Sequence, residues 1–175
     1  AIGDELRLPP VRVAESRAAP PVPTLQFEPL FEDEHLLAIH KPAGVAVHGG
    51  SGLSFGVIEV LRQARPAARF LELVHRLDKE TSGVLLLAKK RSALTALQDQ
   101  FRARRADKCY AALVFGAWPQ SHKVIDVALH KYLTPQGERR VRAVAAHDAD
   151  GRRSITLVRV ERAFTRFSLL DVTLK

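Results

Sequence analysis

The sequence predicts an α+β fold, a mixed, mostly antiparallel sheet with a few flanking helices. Two observations carry this. Short apolar stretches bounded by turn residues recur along most of the chain, whereas only two stretches keep helical spacing. Those two do not alternate regularly with strands, as the βαβ units of a parallel sheet require.

Residues 1–25, "AIGDELRLPPVRVAESRAAPPVPTL", are rich in proline and read as an extended linker or the tail of a preceding module. The folded domain is expected over 26–175. "QFEPLFEDEHLLAIHKPAGVAVHGG" alternates apolar patches with a Glu32-Asp33-Glu34 turn and a Pro42-Ala43-Gly44 turn, the pattern of short antiparallel strands. With Ser54 as N-cap, Val57, Ile58, Leu61 and Ala64 follow helical spacing until Pro66 stops them. "GVLLLAKK", residues 83–90, reads as a central strand. Ser92 caps a second helix, whose Leu94, Leu97 and Phe101 share a face, and Arg102, Arg104 and Arg105 at its end complement the helix dipole. Strands follow over 108–118 and near 124–130, 139–146, 153–162 and 164–174, around Gln136-Gly137 and Asp150-Gly151 turns.

A chain of 175 residues with 46% hydrophobic content can bury a core and is not disordered by composition. It has no apolar run of about 18 residues and no charged-then-apolar leader, so the expected location is cytoplasmic, without membrane association. The single Cys109 forms no internal disulfide and reads as a buried strand residue. No Cys or His pair has zinc-site spacing, so no metal is expected. The sequence contains no methionine and opens on Ala1, and it reads as part of a longer chain.

The net charge of +8 is unevenly placed. Residues 1–75 carry seven Lys and Arg against nine acids, while 76–108 and 131–166 each carry nine against four. Two basic blocks of this kind fit either a solvated surface or a polyanion partner, of which nucleic acid is the commonest.

Among residues capable of chemistry, Gly49-Gly50-Ser51-Gly52 precedes a helix but lacks the Gly-Lys-Ser/Thr ending of a phosphate-binding P-loop. His48 and His75 each stand alone beside strand sequence and read as structural, hydrogen-bonded histidines. Asp78 is different. In "HRLDKETSGVLLLAKK" it lies between apolar segments, with Arg76 and Lys79 near enough in sequence to favour an ionised carboxylate, which can act as nucleophile or general base.

That stretch closely resembles the signature of the RluA-type pseudouridine synthases. "EDEHLLAIHKPAGVAVHGG" (32–50) resembles the family's first motif and "KCYAALVFG" (108–116) its Tyr-bearing strand. "HGGSGLSFGVIEVLR" and "RFLELVHRLD" are most similar to the C-type subgroup acting on large-subunit (23S) ribosomal RNA, and "GDELRLPPVRVAE" resembles the exit from its small RNA-binding module. The resemblance implies the pseudouridine synthase fold and isomerisation of uridine to pseudouridine, with Asp78 as catalytic carboxylate, Tyr110 as the aromatic hydroxyl against the base and Arg76 as the side chain that helps expel the uridine. It implies ribosomal RNA as partner, no cofactor, and no obligate protein partner. In the family, a strand like "SLLDVTLK" runs on into a Thr-Gly-Arg-Thr-His motif that supplies the basic partner of the aspartate. The sequence ends at Lys175, so a domain truncated at its C-terminal end, inactive by itself, is expected. Two rival functions are a non-catalytic RNA-binding or ribosome-assembly module and a glycosidase that releases the base.

Overall fold

The computed structural model describes residues 25–49, 55–135 and 139–175. The expected linker before Leu25, most of the Gly-rich loop and the Gln136-Gly137 turn lie outside the described residues, and the first helix has Gly56 as its N-cap in place of the expected Ser54, because it begins only at Val57. The chain divides into two compact units, one ending at Gln98 and the other running from Asp99 to Lys175.

The first unit contains β1 (Pro29–Glu32), β2 (Leu36–Lys41), α1 (Val57–Ala64), β3 (Glu72–Leu73) and β4 (Gly83–Ala88). The strands form one antiparallel sheet in the order β1-β2-β4-β3. The β1–β2 turn closes because Asp33 Oδ1 accepts from the backbone N–H groups of His35 and Leu36, both at 2.7 Å. The central strand expected over 83–90 is β4, which ends at Ala88, and its Leu85, Leu87 and Ala88 are buried with Leu37 and Ile39 of β2. Val57, Ile58, Val60 and Leu61 of α1 complete this core. Each such large side chain stabilises the unit by about 1.5–3 kcal/mol relative to exposure. At the start of α1, the Glu59 carboxylate accepts from the N–H of Gly56 at 2.8 Å, which satisfies one of the open donors of the first turn.

Helix α2 (Arg91–Arg102) carries the chain from the first unit to the second. It starts at Arg91, two residues earlier than a Ser92 cap implies, so Ser92 lies within its first turn and is not the N-cap. Leu94, Leu97 and Phe101 are all partly buried. Of the three terminal arginines only Arg102 is on the helix, where it pairs with Asp99, and Arg104 has already left it with φ 54°.

The second unit is an antiparallel sheet of β5 (Lys108–Phe115), β6 (Val124–Leu133), β7 (Arg139–Val144), β8 (Arg152–Ala163) and β9 (Phe167–Leu174), in the order β5-β9-β8-β6-β7. Every strand pairing among the described residues is antiparallel. Along β5 the even-numbered residues Lys108 to Val114 are partly buried and the odd-numbered ones Cys109 to Phe115 exposed. Cys109 is therefore exposed, contrary to expectation, because the period-2 alternation that turns Tyr110 inward turns its neighbour outward. Ser168, the buried polar residue of β9, is satisfied on both sides: its hydroxyl donates to Gly116 O at 2.9 Å and accepts from Trp118 N at 3.0 Å.

Candidate active site

The segment carrying Asp78 is anchored by apolar residues at three-residue intervals: Leu71, Val74 and Leu77 are buried in the first unit. Its start is also held from α1, where the Arg62 guanidinium donates to Leu71 O at 2.9 and 3.1 Å and pairs with Glu72 at 2.7 Å. The His75 ring lies partly buried, and its Nε2 accepts from Leu86 N at 3.2 Å, a structural role that joins the segment to β4. Burial pushes the His75 pKa down, in keeping with a neutral ring that accepts. Arg76 and Asp78 flank buried Leu77 and are both exposed. A tight turn follows, closed by Thr81 N donating to Asp78 O at 3.1 Å. The result is an accessible carboxylate on a backbone fixed from both sides.

The strongest of these fixings comes from Lys41, which the sequence reading did not single out. Its side chain is fully buried, at 0% exposure. The ammonium donates to three carbonyls, Val45 O at 2.7 Å, Pro42 O at 3.0 Å and Lys79 O at 3.0 Å. All three of its protons are thus used, as a buried charge requires. Lys79 O also accepts from Gly44 N at 2.9 Å. The peptide oxygen of the residue after Asp78 is therefore held by two donors, the Lys41 ammonium at the end of β2 and the Gly44 N–H in the turn that follows. Burial lowers the Lys41 pKa, and the nearby charges of Glu80 and Asp78 oppose that shift. The signal for Lys41 was present: Leu37, Ile39 and Lys41 share one face of β2, so the alternation that buries the first two buries the third.

The two cations beside Asp78 in the sequence do not pair with it. Among the described residues, no ion pair joins its carboxylate to Arg76 or Lys79, although Arg76 and Asp78 are both exposed on either side of buried Leu77. Its charge acts on the Lys41 ammonium. Tyr110 stands on β5 of the second unit, partly buried and paired with Val172 of β9. Arg76 and Asp78 thus belong to one unit and Tyr110 to the other. His48 is exposed at its hydrogen bond, with Nδ1 2.9 Å from Gly49 O, a structural contact.

The basic blocks are partly neutralised. Lys89 pairs with Glu32 and Lys90 with Glu34, folding the acidic 32–34 turn onto the first block. In the second block Arg153 pairs with Asp126 and Arg159 with Asp171, while Arg142 lies over the Tyr132 ring at 5.4 Å. No such acidic partner within 4.0 Å is found among the described residues for Arg76, Lys79, Arg104 or Arg105, all exposed. No helix among the described residues is long and apolar enough to cross a membrane.

Comparison with known proteins places these features in context. Ribosomal large subunit pseudouridine synthase C of Salmonella typhi is 51% identical over 174 residues, 96% of this chain and 53% of that protein. Its counterpart from Haemophilus influenzae is 50% identical over 177 residues, 98% of this chain and 54% of the other. The chain spans about half the length of the curated relatives it matches. Among solved structures, human RNA Pseudouridylate Synthase Domain Containing 4 superposes with a TM-score of 0.66 at 25% identity, over 84% of this chain and 58% of that one. Human RNA Pseudouridylate Synthase Domain Containing 1 gives a TM-score of 0.69 at 19% identity, over 89% and 62%, a likeness of fold alone. The RNA pseudouridylate synthase model matches residues 35–175, from the strand that ends in Lys41, through the Asp78 turn, to the last strand of the second unit. The chain belongs to the RNA pseudouridylate synthase family.

Proposed function

We propose that residues 26–175 form the larger part of the catalytic domain of an enzyme that isomerises specific uridines to pseudouridine in large-subunit ribosomal RNA, in the cytoplasm. The observation that carries this reading is the Asp78 turn: an exposed carboxylate whose following peptide is clamped by buried Lys41 and by Gly44. Preorganisation of this kind lets a reacting group hold its geometry without reorganisation at the moment of reaction.

A uridine stacked in folded RNA hides its glycosidic bond, so the nucleotide is flipped out at a cost of about a few kcal/mol. Arg76, exposed two residues before Asp78, fills the vacated place in this reading, since a guanidinium both stacks and donates hydrogen bonds. The bond from ribose C1′ to N1 breaks, the uracil turns, a bond from C1′ to C5 forms, the C5 proton leaves and N1 takes a proton. The change is redox-neutral and calls for no cofactor. Asp78 serves as the ionised carboxylate that attacks the sugar, attacks the base or removes a ribose proton. Tyr110 offers a ring face to the base and a hydroxyl for the departing C5 proton. Arg76, Lys79, Arg104 and Arg105 supply charge for phosphates.

Incubating the full-length protein, since residues 26–175 alone are expected to be inactive, with ribosomal RNA carrying tritium at uridine C5 tests the proposal. The wild type releases tritium to water, and Asp78→Asn abolishes release while still binding RNA. Binding without release in the wild type supports the non-catalytic RNA-binding alternative. Free uracil supports a glycosidase.

A further inference from the structure

The connection between β7 and β8 has an unusual path. β7 pairs with β6 from Leu133 back to Ala128, and β8 pairs with β6 from Leu129 back to Val124. Both strands run in the same direction on opposite flanks of β6, so residues 145–151 must cross over one face of it. The crossing is tight. A Cβ added at Gly151 would stand 3.1 Å from the Ala128 Cβ and 2.9 Å from Val144 Cγ2. The loop therefore rests on the face of β6 that bears Ala128, and His130, two residues on, shares that face.

The loop brings two carboxylates to this histidine. His130 Nδ1 is 3.9 Å from Asp148 Oδ1 and 3.9 Å from Asp150 Oδ2, and the three ligand atoms all lie within 4.8 Å of one another. The Nδ1 atom itself is enclosed and makes no hydrogen bond. Among the described residues it is the one buried side-chain polar atom so left, and this is the one group of metal-type donors. Two separate observations thus fall on the same atom.

A direct ion pair explains the spacing poorly. An imidazolium bonded to a carboxylate closes to about 2.7–2.9 Å, and both separations here are wider. Donors about 2.1 Å from a shared ion stand about 3.4 Å apart at a tetrahedral angle and up to about 4.2 Å apart in line. The observed 3.9 Å is about half an ångström wider than the tetrahedral spacing, a smaller closure than a direct ion pair needs. The three donors must draw together by about half an ångström or more to reach a tetrahedral ion, and Asp150, whose side chain is 79% exposed, can swing to do so.

We propose that His130, Asp148 and Asp150 bind a divalent ion of the zinc class, which pins the crossover loop to β6 and plays no part in the chemistry at Asp78. One imidazole nitrogen with two carboxylate oxygens suits zinc better than calcium or magnesium, which favour all-oxygen sites. Sequence spacing does not reveal the set, because one donor comes from β6 and two from a loop 18 and 20 residues later.

The test uses chelator-stripped, tag-free protein titrated with zinc chloride. The wild type is expected to bind one zinc per chain, to rise in Tm with zinc as a ligand specific to the folded state requires, and to show a shift of the His130 Nδ1 nitrogen resonance. His130→Gln should weaken binding at least tenfold and abolish the Tm response. Asp150→Asn, a change at an exposed side chain that leaves the core intact, should weaken binding by about as much. A wild type that binds no zinc overturns the proposal, as does undiminished binding by both variants. So does an ion-pair outcome, in which the carboxylate variant alters stability with pH while zinc leaves the wild-type Tm unchanged.

Discussion

Lys41 Nζ lies 3.0 Å from the carbonyl oxygen of Lys79, a hydrogen bond that spans 38 positions of sequence and ties the end of β2 to the residue after Asp78. The same oxygen accepts from Gly44 N. A cation with no exposure thereby sets where an exposed carboxylate stands, and Lys41 is a positioning residue: it acts through the backbone of the turn.

Lys41→Met keeps the length and apolar stem of the side chain but leaves the carbonyls of Pro42 and Val45 without this donor. An unsatisfied buried polar group costs about 1–3 kcal/mol, so the first unit should lose about 2–4 kcal/mol of stability, read by urea denaturation. Tritium release by the folded fraction should also fall, with kcat affected more than KM. A variant with wild-type stability and turnover would show that the clamp is dispensable.

Gly44 has φ +83°, and a Cβ placed there meets nothing within 4 Å. The cost of Gly44→Ala is thus one of backbone conformation, about 1–2 kcal/mol. Gly44→Asn should recover part of it, since asparagine tolerates the left-handed region better. Equal losses for the two variants would point to a steric cause instead.

How much of this was legible in the sequence depended on whether the signal was local. β4 and both helices follow from runs of apolar residues in "GVLLLAKK" and in 57–64 and 91–102, because period and length suffice to identify them. The helix starts were less legible: Ser92 looks like a cap by type, but a cap is defined by backbone conformation one residue either way. Cys109 was misplaced because residue type was weighed above the alternation of β5. Lys41 was missed for the converse reason, a charged residue on the buried face of a strand. The failure of Arg76 and Lys79 to pair with Asp78 shows that nearness in sequence does not set side-chain direction, and the donors that hold the turn come from residues 41 and 44.

Arg76 separates binding from turnover. It is exposed, and its guanidinium is the group proposed to fill the space of the flipped nucleotide. Arg76→Lys keeps the phosphate attraction but loses the planar stacking surface. RNA affinity and its salt dependence should therefore stay within about twofold of wild type, while kcat falls at least tenfold. Arg76→Ala should reduce both, and should flatten the slope of log affinity against log salt by about one. An unchanged kcat for the lysine variant would remove Arg76 from the flipping step.

Glu32 gives the first unit a defined acid sensitivity. Its carboxylate accepts from both Arg65 terminal nitrogens at 2.6 and 3.0 Å and from Lys89 Nζ at 2.8 Å. The Arg65 hydrogen bonds, followed by that of Lys89, lower its pKa from the ordinary 4.5 to about 2. A folded-state pKa below the unfolded one means that the unfolded chain takes up the proton first, so the stabilisation is complete above pH 4.5 and fades as the pH falls through about 2. The side chain remains 31% exposed, and solvent screening holds the contribution to about 1 kcal/mol. The stability difference between wild type and Glu32→Gln should accordingly be constant from pH 7 to about 5, shrink below pH 4.5 and nearly vanish near pH 2, with a smaller plateau in high salt. Chemical denaturation of both proteins at matched pH values measures it. A difference that does not change over this range would mean that the glutamate acts through packing and not through its charge.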